Sequence, residues 1–164
     1  MTDALNPEPL LRALHQAEVQ HIIIGGFAVN AHGVIRPSRD LDIVPAPDPA
    51  NLERLAALLA DLDARHVGLG DLQAEEFPFD PTDPKDLQSG ANFRLETRLG
   101  DLDIMQWIPG IDADPAYGAL TSESIEGELD GIPLRVCGLR HLIAMKRAAA
   151  RPRDLDDLKR LGVD

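Results

Sequence analysis

Apolar residues recur every three or four positions in four stretches of the chain, which is the spacing of one face of an α-helix. These patterns predict helices that begin near Pro7 and Pro49, a helix over residues 139–149, and a last helix that begins at Pro152. An asparagine or aspartate precedes each of the first two prolines. That pairing favours a helix start, because the polar side chain caps the first turn and proline already has a helical φ angle.

Short β-branched and aliphatic runs between these helices predict strands. The predicted strands cover residues 21–24, 41–44, 92–99, 102–107, 121–129 and 132–136. Gly100-Asp101 is predicted to join the third and fourth strands, and Asp130-Gly131 is typical of a hairpin turn between the last two. A short helix over residues 27–31 would connect the first two strands. This order predicts an α/β (α+β) fold in which helices flank a mixed, mainly antiparallel sheet.

Residues 68–90 break this alternation of strands and helices. Pro78, Pro81 and Pro84 stand there among acidic residues, and proline is poorly tolerated inside either regular element. We expect a long, partly mobile loop beside the functional site.

Length and composition limit the possible classes of protein. The 164 residues are 44% hydrophobic, which is enough for one core, and we expect a single domain over residues 1–164. The formal net charge of -12 argues against a protein that tracks along nucleic acid. Neither a signal sequence nor a membrane-spanning run is readable, so the sequence predicts a cytoplasmic protein without membrane contact.

Two aspartates, Asp40 and Asp42, stand at alternate positions of a predicted strand. Their side chains project from the same face, because side-chain directions alternate along a strand, and they can share one cation. Carboxylate oxygens are the ligands that Mg²⁺ and Mn²⁺ prefer. A third carboxylate on a neighbouring strand would complete a two-metal site, and Asp103 is the candidate. Asp101 has the same facing parity and remains an alternative.

A glycine pair, Gly25-Gly26, lies between the first predicted strand and the short helix that follows it. Glycines in such a turn let the backbone approach a phosphate, with the helix N-H groups directed at it. Tight packing between a strand and a helix is an equally good reason for two glycines. Ser38 lies just before the aspartate pair, and the combination of motifs is more specific than any one of them.

The chain resembles the DNA polymerase beta-like nucleotidyltransferase superfamily in the order of these motifs. That superfamily carries a Gly-Gly or Gly-Ser turn, then Asp-x-Asp on the next strand, then a distant third acid. The chain is similar in particular to a small bacterial branch, the abortive-infection (AbiEii-like) toxins and minimal nucleotidyltransferases. Members of that branch often show Gly-Gly-x-Ala, His-Gly and Arg-x-Thr/Ser-x-Asp, which match residues 25–28, 32–33 and 36–40 here. A lysine followed by Arg-x-x-Asp near the C-terminus is a further similarity, carried by Lys146, Arg151 and Asp154.

The resemblance implies an enzyme that transfers a nucleoside monophosphate from an NTP to a hydroxyl on RNA, protein or a small molecule, with Mg²⁺ or Mn²⁺. It implies that Asp40, Asp42 and Asp103 hold the ions, while Gly25, Gly26 and Ser38 hold the triphosphate. A role in a toxin-antitoxin or phage-defence system, with a partner protein, is also implied. A non-catalytic or antitoxin-like protein with the same fold is the alternative.

Basic side chains are needed as well, because a triphosphate carries more negative charge than a glycine turn offsets. The candidates are Arg36, Arg39 and Lys146. For Lys146 the alternative is a lysine that reaches solvent from the end of an apolar helix. For Arg36 and Arg39 the alternative is pairing with Asp40, Asp42 or other nearby carboxylates. The residues expected on the charged face of the last helix are Arg151, Asp154 and Asp157.

Overall fold

The computed structural model describes residues 4–67 and 76–163, which form one seven-stranded sheet and the helices around it. In chain order the elements are α1 (Glu8–Gln16), β1 (His21–Ile24), α2 (Gly25–Ala31), β2 (Asp40–Pro45), α3 (Pro49–Asp61), β3 (Arg65–His66), α4 (Pro84–Gln88), β4 (Phe93–Thr97), β5 (Gly100–Ile104), α5 (Tyr117–Thr121), β6 (Ile125–Leu129), β7 (Ile132–Val136), α6 (Leu139–Ala149) and α7 (Pro152–Arg160).

The sheet is mixed, with the strand order β3-β4-β5-β2-β1-β7-β6. The pairs β2/β5 and β1/β7 are parallel, and the other four pairs are antiparallel. Parallel pairing sets β2 beside β5 with Asp42 opposite Asp103 and Asp40 opposite Asp101. The predicted mixed sheet flanked by helices is confirmed, and its register determines where the site forms.

Side-chain alternation separates a core face of the two central strands from a polar face. Leu41 and Ile43 on β2 are fully buried, as are Leu102 and Ile104 on β5. They join one hydrophobic cluster that includes the leucines of α1 and α3. The aspartates alternate with these residues and therefore point to the opposite face of the sheet.

Asp48 caps α3 as predicted, because its side chain accepts a hydrogen bond from the backbone N-H of Asn51.

The predicted strand over residues 121–129 is wrong in its first half. Residues 117–121 form α5, which buries Leu120 completely. The turn between β4 and β5 precedes Gly100. It is stabilised by a hydrogen bond from the backbone N-H of Leu99 to the hydroxyl oxygen of Thr97. The predicted turn at Gly100-Asp101 is therefore wrong by two residues.

The predicted loop over residues 68–90 is also wrong in part. Pro84–Gln88 is the helix α4, and the side chain of Asp83 accepts from the backbone N-H of Lys85 at 2.9 Å. Leu87 on this helix is fully buried, and its carbonyl accepts from the Gln106 side chain at 2.9 Å. Residues 68–75, the first part of the predicted loop, lie outside the described residues.

The helices over residues 4–67 and 76–163 include none with the length and apolar character of a membrane span.

Replacing Leu87 with alanine should destabilise the fold by about 2–5 kcal/mol, because the truncation leaves a cavity under α4. The neighbouring Gln88 is exposed, and Gln88→Ala should change the unfolding free energy by less than about 0.5 kcal/mol. Urea unfolding of both variants measures the difference. Equal, small effects would show that α4 does not pack on the core.

Candidate functional site

Three carboxylates meet on the polar face of the central strands. Asp40, Asp42 and Asp103 each offer one oxygen, and these oxygens all lie within 4.8 Å of one another. The parallel register brings these carboxylates close together, since Asp42 and Asp103 are directly paired across β2 and β5. All three side chains are half-buried.

The register also separates the two candidates for the third carboxylate. Asp101 is paired with Asp40 on the same face of the sheet, but it is exposed and is not part of the group of three. Asp103 lies one step further along β5, beside Asp42. The geometry therefore brings Asp103, and not Asp101, to within reach of a shared ion.

Burial and the crowding of like charges raise the proton affinity of Asp42 and Asp103. Burial, followed by the negative charges of Asp40 and Asp103, raises the pKa of Asp42 well above its ordinary value. Burial and then the charge of Asp40 raise the pKa of Asp103 to about 6. The Oδ1 atom of Asp103 is buried and has no hydrogen-bond partner. Three carboxylates that repel one another, with one oxygen unpartnered, form a donor set that suits a hard divalent cation.

Gly25 and Gly26 begin α2, two residues before the predicted start of that helix. Gly25 has a φ angle of +71°, and a Cβ atom on it would overlap the carboxylate of Asp42. A Cβ atom on Gly26 would lie 2.5 Å from the hydroxyl oxygen of Ser38. The pair is therefore required for close packing of this turn against the aspartate strand. Phosphate binding by the same turn stays a prediction.

Ser38 is buried and lies directly behind this turn. Its hydroxyl donates to the backbone carbonyl of Asp40 at 3.1 Å, which fixes the beginning of β2. Both Ser38 and the exposed Arg39 line the same cleft as the aspartates. His32 ends α2, and its Nε2 atom is 2.8 Å from the backbone carbonyl oxygen of Cys137.

Lys146 is only 6% exposed, so the alternative of a lysine that reaches solvent is wrong. Its Nζ atom lies 2.9 Å from Asp157 and 3.2 Å from Asp154, the two acids of α7. The positive charge of Lys146 also lowers the pKa of Asp42 against the larger effects that raise it. Lys146 therefore pairs with the acids of the last helix and lines the cleft that contains the aspartate group.

The expected charged face of α7 is wrong for two of its members. Asp154 and Asp157 are 0% and 1% exposed. Asp157 also pairs with Arg36 at 2.8 Å, and Asp154 pairs with Arg151 at 2.7 Å. The sequence does contain a signal for this burial, because both acids share a helical stripe with the buried Leu158.

A cleft of about 690 Å³ opens over the aspartates. Basic side chains line it together with the acids; they are Arg36, Arg39, Arg94, Lys146, Arg151 and Arg153. Arg94, which sequence reasoning missed, is paired with Asp103 across β4 and β5 and acts to lower the pKa of that carboxyl. The cleft thus combines a carboxylate group that could hold a cation with basic side chains that could attract an anion.

No protein-family model and no curated protein matches the chain. Solved structures do match its fold. The lincomycin-bound lincosamide antibiotic adenylyltransferase LnuA has a TM-score of 0.62 and 13% identity, with 98% of each chain covered. The antibiotic-resistance factor ANT(2'')-Ia has a TM-score of 0.58 and 19% identity, with 94% of this chain and 79% of that chain covered.

A Thermotoga maritima protein described as a nucleotidyltransferase is also similar, with a TM-score of 0.57 and 15% identity over 94% of this chain and 92% of that one. ANT(2'')-Ia is further known in complex with adenylyl-2''-tobramycin, and that structure has 18% identity to this chain. At these identities the likeness concerns the fold. The described residues have the nucleotidyltransferase fold, with the aspartate group at its central strands.

Proposed function

We propose that this protein is a metal-dependent nucleotidyltransferase that transfers a nucleoside monophosphate from an NTP to a hydroxyl group. The observation that carries the proposal is the group of Asp40, Asp42 and Asp103, whose oxygens lie within 4.8 Å of one another beside a glycine turn. The small bacterial branch named above, of abortive-infection toxins and minimal nucleotidyltransferases, remains the proposed place within the superfamily.

Asp40, Asp42 and Asp103 would hold Mg²⁺ or Mn²⁺, because the donor set is entirely carboxylate and its mutual repulsion is relieved by a cation. When bound, divalent ions supply charge stabilisation for the attacking and leaving oxygens of a phosphoryl transfer. Gly25, Gly26, Ser38, Arg39 and Lys146 are the proposed nucleotide-binding residues, since they line the same cleft.

The reaction requires one new bond and one broken bond. The acceptor oxygen bonds to the α-phosphorus of the NTP, and the bond from that phosphorus to the bridging oxygen breaks, so pyrophosphate leaves. The acceptor hydroxyl proton needs a base, and the carboxylate of Asp103, which lines the cleft, is the proposed acceptor of that proton. A pKa of about 6 leaves this carboxyl mostly ionised at pH 7 or above.

We favour a small molecule as the acceptor. LnuA and ANT(2'')-Ia, which share the fold, are described with antibiotic acceptors. The formal net charge of -12 would also repel a polyanionic acceptor such as RNA. RNA or protein acceptors, a partner protein and a toxin-antitoxin role remain predictions from the resemblance alone.

Asp103→Asn should reduce nucleotidyl transfer at least about a hundredfold, because it removes a pre-organised charge at the reacting centre. Asp40→Asn and Asp42→Asn should do the same. The measurement is transfer of label from each NTP, with Mg²⁺ or Mn²⁺, to a panel of hydroxylated small molecules and to a cell extract.

Asp101→Asn is the matched control, because Asp101 has the same parity on β5 but lies outside the group of three. It should keep most of the activity. Label transfer that survives Asp40→Asn combined with Asp42→Asn would remove the catalytic proposal. Metal-dependent NTP binding without transfer to any acceptor would indicate the non-catalytic alternative instead.

Without metal, Asp103→Asn should be more stable than the wild-type chain at pH 8. Asp103 has a pKa of about 6 in the folded chain against 3.8 ordinarily, so the folded chain binds more protons than the unfolded chain between these values. Its contribution to the unfolding free energy therefore falls as pH rises through about 6. After a discount for partial exposure, the gain at pH 8 should be about 1–2 kcal/mol.

Urea unfolding at pH 8 and pH 5 measures this effect, and the gain should be smaller at pH 5. Asp112→Asn, which changes an exposed carboxylate outside the aspartate group, is the control, and it should change the unfolding free energy by less than about 0.5 kcal/mol. Added Mg²⁺ or Mn²⁺ should raise the thermal midpoint of the wild-type chain more at pH 8 than at pH 5, since protons compete for the ligands. A midpoint that does not respond to either ion at pH 8 argues against the metal site.

A further inference from the structure

Five charged residues form a cluster where α6 and α7 meet the loop that precedes β2. This C-terminal charge cluster consists of Arg36, Lys146, Arg151, Asp154 and Asp157. Its two carboxylates are buried and its three cations surround them. The cluster therefore holds one positive charge in excess, on the side of the molecule where the aspartate group lies.

Asp154 uses both of its carboxylate oxygens. Its Oδ2 atom accepts from Arg151 Nε at 2.7 Å and from the Arg151 backbone N-H at 3.1 Å. Its Oδ1 atom accepts from Lys146 Nζ at 3.2 Å and from Arg151 Nη2 at 3.3 Å. Burial acts to raise the pKa of Asp154, but the hydrogen bonds from Arg151 and Lys146 outweigh it and the pKa is lowered.

Such a buried network is a poor device for stability alone. Taking charges out of water costs free energy that the ion pairs return only in part, and apolar side chains often pack as well or better. The network does fix the direction of long, flexible cations. Two of the five guanidinium N-H donors of Arg151 bind Asp154, which leaves the others available to a ligand.

Both cations held by Asp154 line the cleft that contains the aspartate group. The Arg151 side chain is 54% exposed and lines the cleft. The hydrogen bond to Asp154 raises the pKa of Arg151, and the charges of Asp42 and Asp40 add to this effect. Lys146 in turn lowers the pKa of Asp42. These two cations therefore lie within electrostatic reach of the carboxylates that would hold the ions.

We propose that Asp154 is a positioning residue, which fixes Arg151 and Lys146 as the pair of cations that receives the triphosphate of the NTP. This inference rests on the proposed function and adds Arg151 to the nucleotide-binding residues. Arginine suits the role, because its planar group binds phosphate oxygens in pairs and its charge is permanent. Asp157 completes the arrangement by holding Lys146 and Arg36, so Lys146 keeps one partner when Asp154 is changed.

Binding of each NTP with Mg²⁺ or Mn²⁺ to the full chain tests the proposal by isothermal titration. Asp154→Asn keeps the shape and one acceptor for the helix start, but it loses the charge that orients Arg151. It should weaken NTP binding about tenfold or more, the scale of a charged hydrogen bond. Arg151→Met should give a similar loss. The double variant should lose less than the product of the two single losses, because both changes remove one interaction.

Asp156→Asn is the matched control. Asp156 lies on the same helix and pairs with Arg160 at 2.9 Å, but both side chains are at least half exposed. This variant should bind NTP as the wild type does. If Asp154→Asn does not fold, Arg151→Lys decides, since lysine keeps the charge but cannot make both bonds to Asp154. A tenfold loss in Arg151→Lys supports the proposal, and wild-type affinity overturns it.

Other outcomes separate this inference from the proposed function. Wild-type NTP binding with unchanged affinity in Asp154→Asn would overturn the positioning role alone. Fully multiplicative losses in the double variant would also overturn it, since the two residues would then act independently. Failure of the wild-type chain to bind any NTP with either metal would overturn the proposed function and the inference together.

Discussion

The rest of the site depends on one constraint, the repulsion between carboxylates that the sheet register holds close together. Parallel pairing of β2 with β5 sets Asp42 opposite Asp103, and the alternation along β2 adds Asp40 to the same face. The core residues between them, such as Leu41 and Leu102, cannot move without exposing apolar surface. The fold therefore holds the three acids in place despite the cost of crowding them, and this cost is the reason they suit a cation.

Much of this arrangement was predictable from local patterns. The apolar runs of β1 and β2 and the Asp48-Pro49 helix start are strong local signals, and parity alone places Asp40 and Asp42 on one face. The choice between Asp101 and Asp103 was not predictable, because the two share that parity. It depends on which residue of β5 stands beside Asp42, and no local pattern specifies the pairing of strands so far apart in sequence.

The buried acids of α7 and the helix α4 were missed for a different reason. Charge suggested that Asp154 and Asp157 are exposed, whereas their partners lie on α6 and before β2 and become visible only in the folded chain. For α4, the prolines around it concealed a start signal, Asp83-Pro84, of the same kind as Asp48-Pro49. In both cases the residues that decide the structure are brought together only by folding, and a reading of local polarity misses them.

The ion pair between Arg36 and Asp157 joins two segments that are 121 positions apart in the chain. One precedes the aspartate strand, and the other belongs to the final helix. A shortened variant that ended after α6 would keep every acid of the aspartate group, yet it would leave Arg36 and Lys146 without their carboxylate partners on α7. The last helix is therefore not separable from the cleft that contains the aspartates, because its acids pair with two of the basic side chains that line it.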